Sequence, residues 1–183
     1  MLKVYEYSHL GGLEILKVRY PQIEREIDEV IAQVLVEKKG KISREKAKKG
    51  KMLYSPREMN LKFKEAFKER GFKELRDYYP IETYDGKQQI KAFKQIDFVK
   101  EKVLVEVQFG KYAFMFYDMA KFQYFYNKEK ADVGVEIVPS YYLHKEMSTG
   151  VSYGEQLIYD IKRLERNFPS VPVKIILIDV KYK

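Results

Sequence analysis

The sequence predicts a three-layer α/β fold, with a central mixed sheet of five or six strands flanked by helices. Three observations carry this. Segments 131–138 and 171–180 are nearly unbroken apolar runs, the pattern of strands covered on both faces. Segments 22–36 and 56–70 repeat apolar residues at helical spacing. Segment 93–109 divides into two short runs rich in β-branched and aromatic residues, separated by Lys100-Glu101-Lys102. Strands and helices that alternate in this way stack as helix, sheet and helix layers.

In chain order, the first helix follows Pro21, with Ile23, Ile27, Val30, Ile31, Val34 and Leu35 as its apolar stripe. Ser55 and Pro56 form an N-cap and first-turn pair for the second helix, which Gly71 ends. Met59, Phe63, Ala66 and Phe67 make its buried face, while Glu65 and Glu69 pair with Lys62, Lys68 or Lys73 on its wet face. Strands follow at 93–99 and 103–109, and then an aromatic-dense helix at 114–126. The run at 131–138 is a strand stopped by Pro139, 154–167 a helix, and 171–180 the last central strand. No internal repeat or linker appears, so residues 1–183 read as one domain.

Of the 183 residues, 45% are hydrophobic and 15% aromatic, which excludes a disordered chain. No run reaches the ~18 apolar residues of a membrane span, and the N-terminus lacks the apolar core of a signal peptide. The absence of cysteine excludes disulfides and thiolate metal sites. Together these features predict a cytoplasmic protein, and the lysine- and glutamate-rich composition matches a thermophile's. A formal charge of +8 predicts a polyanionic partner. Most of it lies between Lys38 and Lys51, where eight basic residues face a single acid, Glu45. Such a segment either contacts phosphates or is a solvated basic loop.

The chemistry centres on Asp97, Glu106 and Gln108. Residues two apart on a strand share a face, so Glu106 and Gln108 point together while Val105 and Val107 point to the core. A hairpin through residues 100–102 brings Asp97 beside Glu106. Two carboxylates at one end of a sheet can hold a divalent metal against a phosphodiester. The same pattern also describes an antiparallel strand with one wet face. The chain has two histidines, His9 and His144, far apart in sequence, and no Gly-rich nucleotide loop.

The run Leu104–Tyr112, with Ile96-Asp97-Phe98 before it, resembles the core of the BglII/BstYI group of type II restriction endonucleases, an E-x-Q branch of the PD-(D/E)xK-like nucleases. The BstYI side of the group is the nearer. Segments 7–16, 53–56, 132–139 and 145–153 resemble it in the same order, with a shorter stretch between Tyr79 and Phe93. The resemblance implies a homodimer that hydrolyses double-stranded DNA with Mg²⁺ at a GATC-centred palindrome such as R-GATC-Y, leaving 5′-GATC overhangs. It also implies a cognate methyltransferase that protects host DNA. Asp97, Glu106 and the Val107 carbonyl become metal ligands, and Gln108 a water-positioning group where many related nucleases carry lysine. Glu74 becomes a carboxylate near the metal or a plain surface acid. Lys111, Ser148 and Thr149 become base or phosphate contacts, or a plain turn, and His9 a DNA contact or a packing group. The 114–126 helix is a candidate dimer interface or simply core. A structure-selective repair nuclease and a non-catalytic DNA-binding protein are the alternative readings.

Overall fold

The computed structural model describes residues 1–38, 42, 43 and 45–180. Lys39, Lys41 and Arg44 of the basic segment lie outside the described residues. The elements run β1 (Leu2–His9), α1 (Gly12–Arg19), α2 (Pro21–Gln33), α3 (Pro56–Glu69), β2 (Lys73–Glu82), β3 (Gln89–Lys100), β4 (Val103–Val107), α4 (Tyr112–Asn127), β5 (Val133–Pro139), α5 (Tyr141–Lys145), α6 (Gly154–Leu164) and β6 (Val173–Asp179). The six strands form one mixed sheet in the order β1-β6-β5-β4-β3-β2. β4, β5 and β6 run parallel to one another, while β1, β3 and β2 join antiparallel.

The central strands explain the apolar runs, since every residue of β4, β5 and β6 is buried. Val103, Val105 and Val107 pack on the face covered by α1, α2 and α3, among Leu16, Ile27, Phe63 and Phe67. Leu104 packs on the opposite face, against Met115, Met119 and Phe122 of α4 and Leu157 and Ile161 of α6. Two apolar cores therefore sandwich the sheet, as the three-layer expectation requires.

Helix α3 starts as the sequence predicts, with the Ser55 hydroxyl accepting from the Glu58 N–H. Four elements were not predicted: β1, α1, β2 and the short α5. β1 and β2 are polar-rich edge strands, β2 mostly exposed and β1 a mixture of exposed and half-buried residues, and α1 buries only Gly12 and Leu16. An edge strand makes weak patterning because only part of one face is covered, and Pro80 sits where an edge tolerates it. β2 and β3 pair from Lys73↔Val99 to Glu82↔Gln89, making a long hairpin that extends the predicted 93–99 strand back to Gln89.

α1 lies close against the sheet. A Cβ on Gly12 would sit 2.3 Å from the Val173 carbonyl carbon and 2.5 Å from its oxygen. The neighbour is backbone and cannot swing away. Gly12→Ala is expected to lower stability by about 1–3 kcal/mol in urea unfolding, whereas Val18→Ala, at an 80% exposed position, stays within about 0.5 kcal/mol.

Candidate active site

The β3–β4 hairpin turns at Glu101, with φ of +53°, and pairs Lys100↔Val103, Val99↔Leu104 and Phe98↔Val105. The pairing stops there, and Glu106 and Val107 continue in register with β5 alone. On its other edge β3 slips against β2: Lys73 faces Val99 but Leu75 faces Ile96, so Glu74 stands opposite both Asp97 and Phe98. This is a β-bulge, which re-aims the side chains it contains. Phe98 belongs to the α3-side core and Ile96 to the α4-side core. The bulge thus releases Asp97 from strict alternation at the point where β3 and β4 part.

Asp97 and Glu74 are both exposed, and one amide joins them: Gln95 Nε2 donates to Glu74 Oε2 at 2.9 Å and to Asp97 Oδ1 at 3.1 Å. Arg76 Nε pairs with Glu74 Oε1 at 2.7 Å. Glu74, Gln95 and Asp97 line a cleft of about 730 Å³ that also reaches Val107. The Gln108 N–H donates to Ile137 O at 2.9 Å. The alternation of a strand's peptide groups then turns the intervening Val107 carbonyl away from β5, towards the opening.

The opposite wall of the cleft is basic. Arg57, Lys64 and Lys68 lie on one face of α3, and Lys73 follows at the start of β2. All four are exposed, and none has an ion-pair partner among the described residues. The expected pairing of Glu65 and Glu69 with Lys68 or Lys73 does not form; Lys62 pairs with Glu58 instead, at 3.0 Å. A row of uncompensated cations facing carboxylates across one cleft suits a polyanion that is both held and attacked.

Glu106 sits differently from the wet-face alternative: only 3% of it is exposed. Its side chain lies on the α4 side of the sheet, where Lys121 Nζ meets Glu106 Oε1 at 2.5 Å and Asp118 Oδ1 at 2.7 Å. Gln108 Nε2 donates to Asp118 Oδ2 at 2.9 Å. Burial pushes the Glu106 carboxyl up to about 8; Lys121 pulls against this, while the charges of Asp118 and Asp97 add to it. Asp118 is raised by burial against the pull of Lys121. Lys121 is raised too, because Glu106 and Asp118 outweigh its own desolvation. Glu136, paired with Glu106 across β4 and β5, is fully buried, and neither oxygen has a hydrogen-bond partner of normal geometry. Burial drives its carboxyl far up, with Asp118 and Glu106 adding to the shift.

The predicted ligands therefore approach one another from both sides of the sheet without forming a closed cage. Glu74, Asp97 and Glu106 are not among the described acids whose oxygens gather within 4.8 Å. Their donor set of carboxylates and one carbonyl still has the hard-oxygen chemistry of a Mg²⁺ site. The one acidic trio that does gather among the described residues, Glu6, Glu24 and Asp28, is already paired with two lysines. Lys3 reaches Asp28 and Glu6 at 2.8 Å, and the buried Lys174 contacts Glu6 and Glu24.

Of the predicted DNA contacts, Lys111 is exposed at the N-cap of α4. The loop carrying Ser148 and the exposed Thr149 comes beside it, through the Ser152 N–H on Gly110 O at 2.9 Å. His9 is placed elsewhere. It is 2% exposed, and its Nε2 lies 2.7 Å from Pro169 O, so the ring serves packing and has no face for DNA. The basic segment is also partly engaged: Lys38 pairs with Glu146, and Lys48 reaches His144 O and Met147 O. Sequence reasoning missed Gln95, Arg76, the α3 cations, Asp118 and Lys121. Asp118 and Lys121 did leave a signal, as the only charged residues in the aromatic α4.

A mixed sheet with an acid-bearing strand fork and a basic cleft defines the restriction-endonuclease class of α/β nucleases. The chain matches the family described as restriction endonuclease BglII/BglIII over residues 4–178, and it belongs to that family. It is therefore a type II site-specific deoxyribonuclease. Two solved structures share the fold. The crystal structure of BglII complexed with a DNA 16-mer has a TM-score of 0.76 and 23% identity, covering 100% of this chain and 80% of that one. Free BglII has a TM-score of 0.67 and 20% identity, covering 100% and 82%. A comparison with curated protein sequences gives no match.

Two outcomes follow from this geometry. Lys64→Ala and Lys68→Ala are each expected to weaken DNA binding alike for all sequences, and to flatten the plot of log affinity against log salt by about 0.9; fluorescence anisotropy at several salt concentrations reads both. The second concerns Glu136. A carboxyl whose folded-state pKa is raised keeps its proton where the unfolded chain has lost it. Its contribution to stability is full below the unfolded value near 4.5 and falls as pH rises. Glu136→Gln, which cannot ionise, is expected to unfold in urea with a flatter loss of stability between pH 5 and pH 8 than the parent chain. An unchanged slope would remove Glu136 from that account.

Proposed function

We propose that this chain is a homodimeric, Mg²⁺-dependent endonuclease that cuts both strands of a GATC-centred palindrome, with degenerate outer bases such as R-GATC-Y. It leaves 5′-phosphate ends with 5′-GATC overhangs and works in the cytoplasm beside a methyltransferase that protects the same site. The BstYI-like E-x-Q spacing of Glu106 and Gln108 supports this narrower assignment within the family. The observation that carries it is the cleft itself, where Asp97, Glu74 and the Val107 edge face unpaired Arg57, Lys64, Lys68 and Lys73.

In this reading the α3 cations grip phosphates and set the strand along the cleft. Asp97, Glu106 and the Val107 carbonyl hold the divalent ion, and the Gln95 amide keeps Asp97 and Glu74 facing the same space. When bound, the ion polarises the scissile phosphate and offsets the negative charge that builds on it. Gln108 cannot act as a cation or a useful base, so it orients the attacking water by hydrogen bonding. Lys111, Ser148 and Thr149, on adjoining loops, read or flank the bases. The exposed rings of Phe114 and Tyr117 on adjoining turns of α4 supply the face for a second subunit, and a two-fold dimer matches a palindrome.

Digestion of unmethylated plasmid with Mg²⁺, followed by sequencing of the ends, tests this reading, with Asp97→Asn protein as the control. Discrete ends with 5′-GATC overhangs, lost in the variant, are expected. Random ends, or defined ends around another core sequence, would overturn the assignment.

A further inference from the structure

Helix α4 contributes more to the site than shape. Its two charged residues, Asp118 and Lys121, lie three apart on one face and point at β4. Lys121 Nζ spans Glu106 Oε1 and Asp118 Oδ1, and Asp118 Oδ2 accepts from Gln108 Nε2. Glu106, Lys121, Asp118 and Gln108 thus form one closed chain of contacts, tying two side chains of a strand to one turn of a helix. The side chains of Glu106, Asp118 and Lys121 are 4%, 2% and 14% exposed, so water does not substitute for these contacts.

We propose that Asp118 and Lys121 are positioning residues for the cleavage reaction, fixing the direction of the Glu106 carboxylate and the sense of the Gln108 amide. This rests on the reading of Glu106 and Gln108 given above. The amide's sense follows from donor chemistry. Asp118 is the ion-pair partner of Lys121 and accepts from the Gln108 NH₂, so the Gln108 Oε1 is the free end. Gly110 leaves room for that oxygen, since a Cβ there would lie 2.6 Å from it. Gln108 therefore addresses the attacking water as an acceptor. Lys121 in turn holds one Glu106 oxygen and leaves the other to the cation. Stability alone is a poor reason to keep such a cluster, because replacing a buried ion pair with well-packed apolar groups is often neutral or stabilising.

The test uses the full-length protein with Lys121→Met, Lys121→Arg and Asp118→Asn, alongside Asp97→Asn. Three quantities are read besides cleavage: Mn²⁺ affinity without DNA by electron paramagnetic resonance, DNA affinity in EDTA, and the urea midpoint. Groups that orient metal ligands typically carry about 10–100-fold in affinity or activity. Lys121→Met is expected to lose about that much in Mn²⁺ affinity and in kcat, with KM and DNA affinity in EDTA within about two-fold. Lys121→Arg, which keeps the donors, recovers most of the loss. Asp118→Asn, which can accept or donate and so frees the amide to flip, lowers kcat by a similar factor with a smaller change in Mn²⁺ affinity. Parent-like kcat and Mn²⁺ affinity in Lys121→Met would overturn the proposal, as would a loss in Lys121→Met and Lys121→Arg alike that tracks a fallen urea midpoint. If Asp97→Asn cleaves like the parent chain, the underlying site reading fails. If Asp97→Asn is inactive while Lys121→Met cleaves normally, only the positioning role fails.

Discussion

Everything in this molecule turns on the place where β3 lets go of β4. Three residue pairs hold the two strands together, and then Asp97 and Glu106 diverge around a bulge. An uninterrupted ladder would carry Asp97 in strict alternation and close the opening with backbone hydrogen bonds. The parted strands instead leave a peptide edge at Val107 and free an exposed carboxylate beside it. β-bulges cost pairing, and they recur where a fold must re-aim a side chain. The hairpin of β2 and β3, its Glu74 opposite the bulge, supplies the second acid at the same point.

The site is asymmetric about the sheet. Asp97, Glu74 and Gln95 are wet and face α3, whereas Glu106 is dry and held from α4. Desolvation alone would make an isolated Glu106 prefer its neutral form, and Lys121 opposes that. Glu136 lies one strand away without a hydrogen-bond partner, and burial drives its carboxyl far up against a weaker pull from Lys121. Two glutamates that face each other in register thus have different electrostatic settings because Lys121 forms its ion pair with Glu106 and acts on Glu136 only at longer range.

Much of this could be read from the chain, for reasons that differ from element to element. The runs in β5 and β6 were plain because both faces are apolar, and α3 was plain because Ser55, Pro56 and Gly71 punctuate it. β1 and β2 were not, since an edge strand needs no strict alternation and theirs is diluted by charge. Asp97, Glu106 and Gln108 stood out by spacing, yet spacing alone could not say that Glu106 is buried. That depends on α4 arriving over β4, a tertiary event with no local signature. The same limit hid the α3 cations: their helical spacing is visible in the chain, but the missing partners are visible only once the neighbours are placed. His9 shows the converse. Its motif context drew attention, while the fold places it in packing against the Pro169 carbonyl.

The central claim is that carboxylates from the two sides of the sheet serve one cation at the strand fork. Affinity cleavage tests it most directly: Fe²⁺ is added to the protein with ascorbate and peroxide, so that radicals cut the backbone near the bound ion, and the fragments are weighed by mass spectrometry. Cuts close to Asp97 and to Glu106–Gln108, suppressed by excess Mg²⁺, are expected. Cuts confined to the neighbourhood of Glu6, Glu24 and Asp28, or cuts near Asp97 that persist undiminished in Asp97→Asn protein, would contradict it.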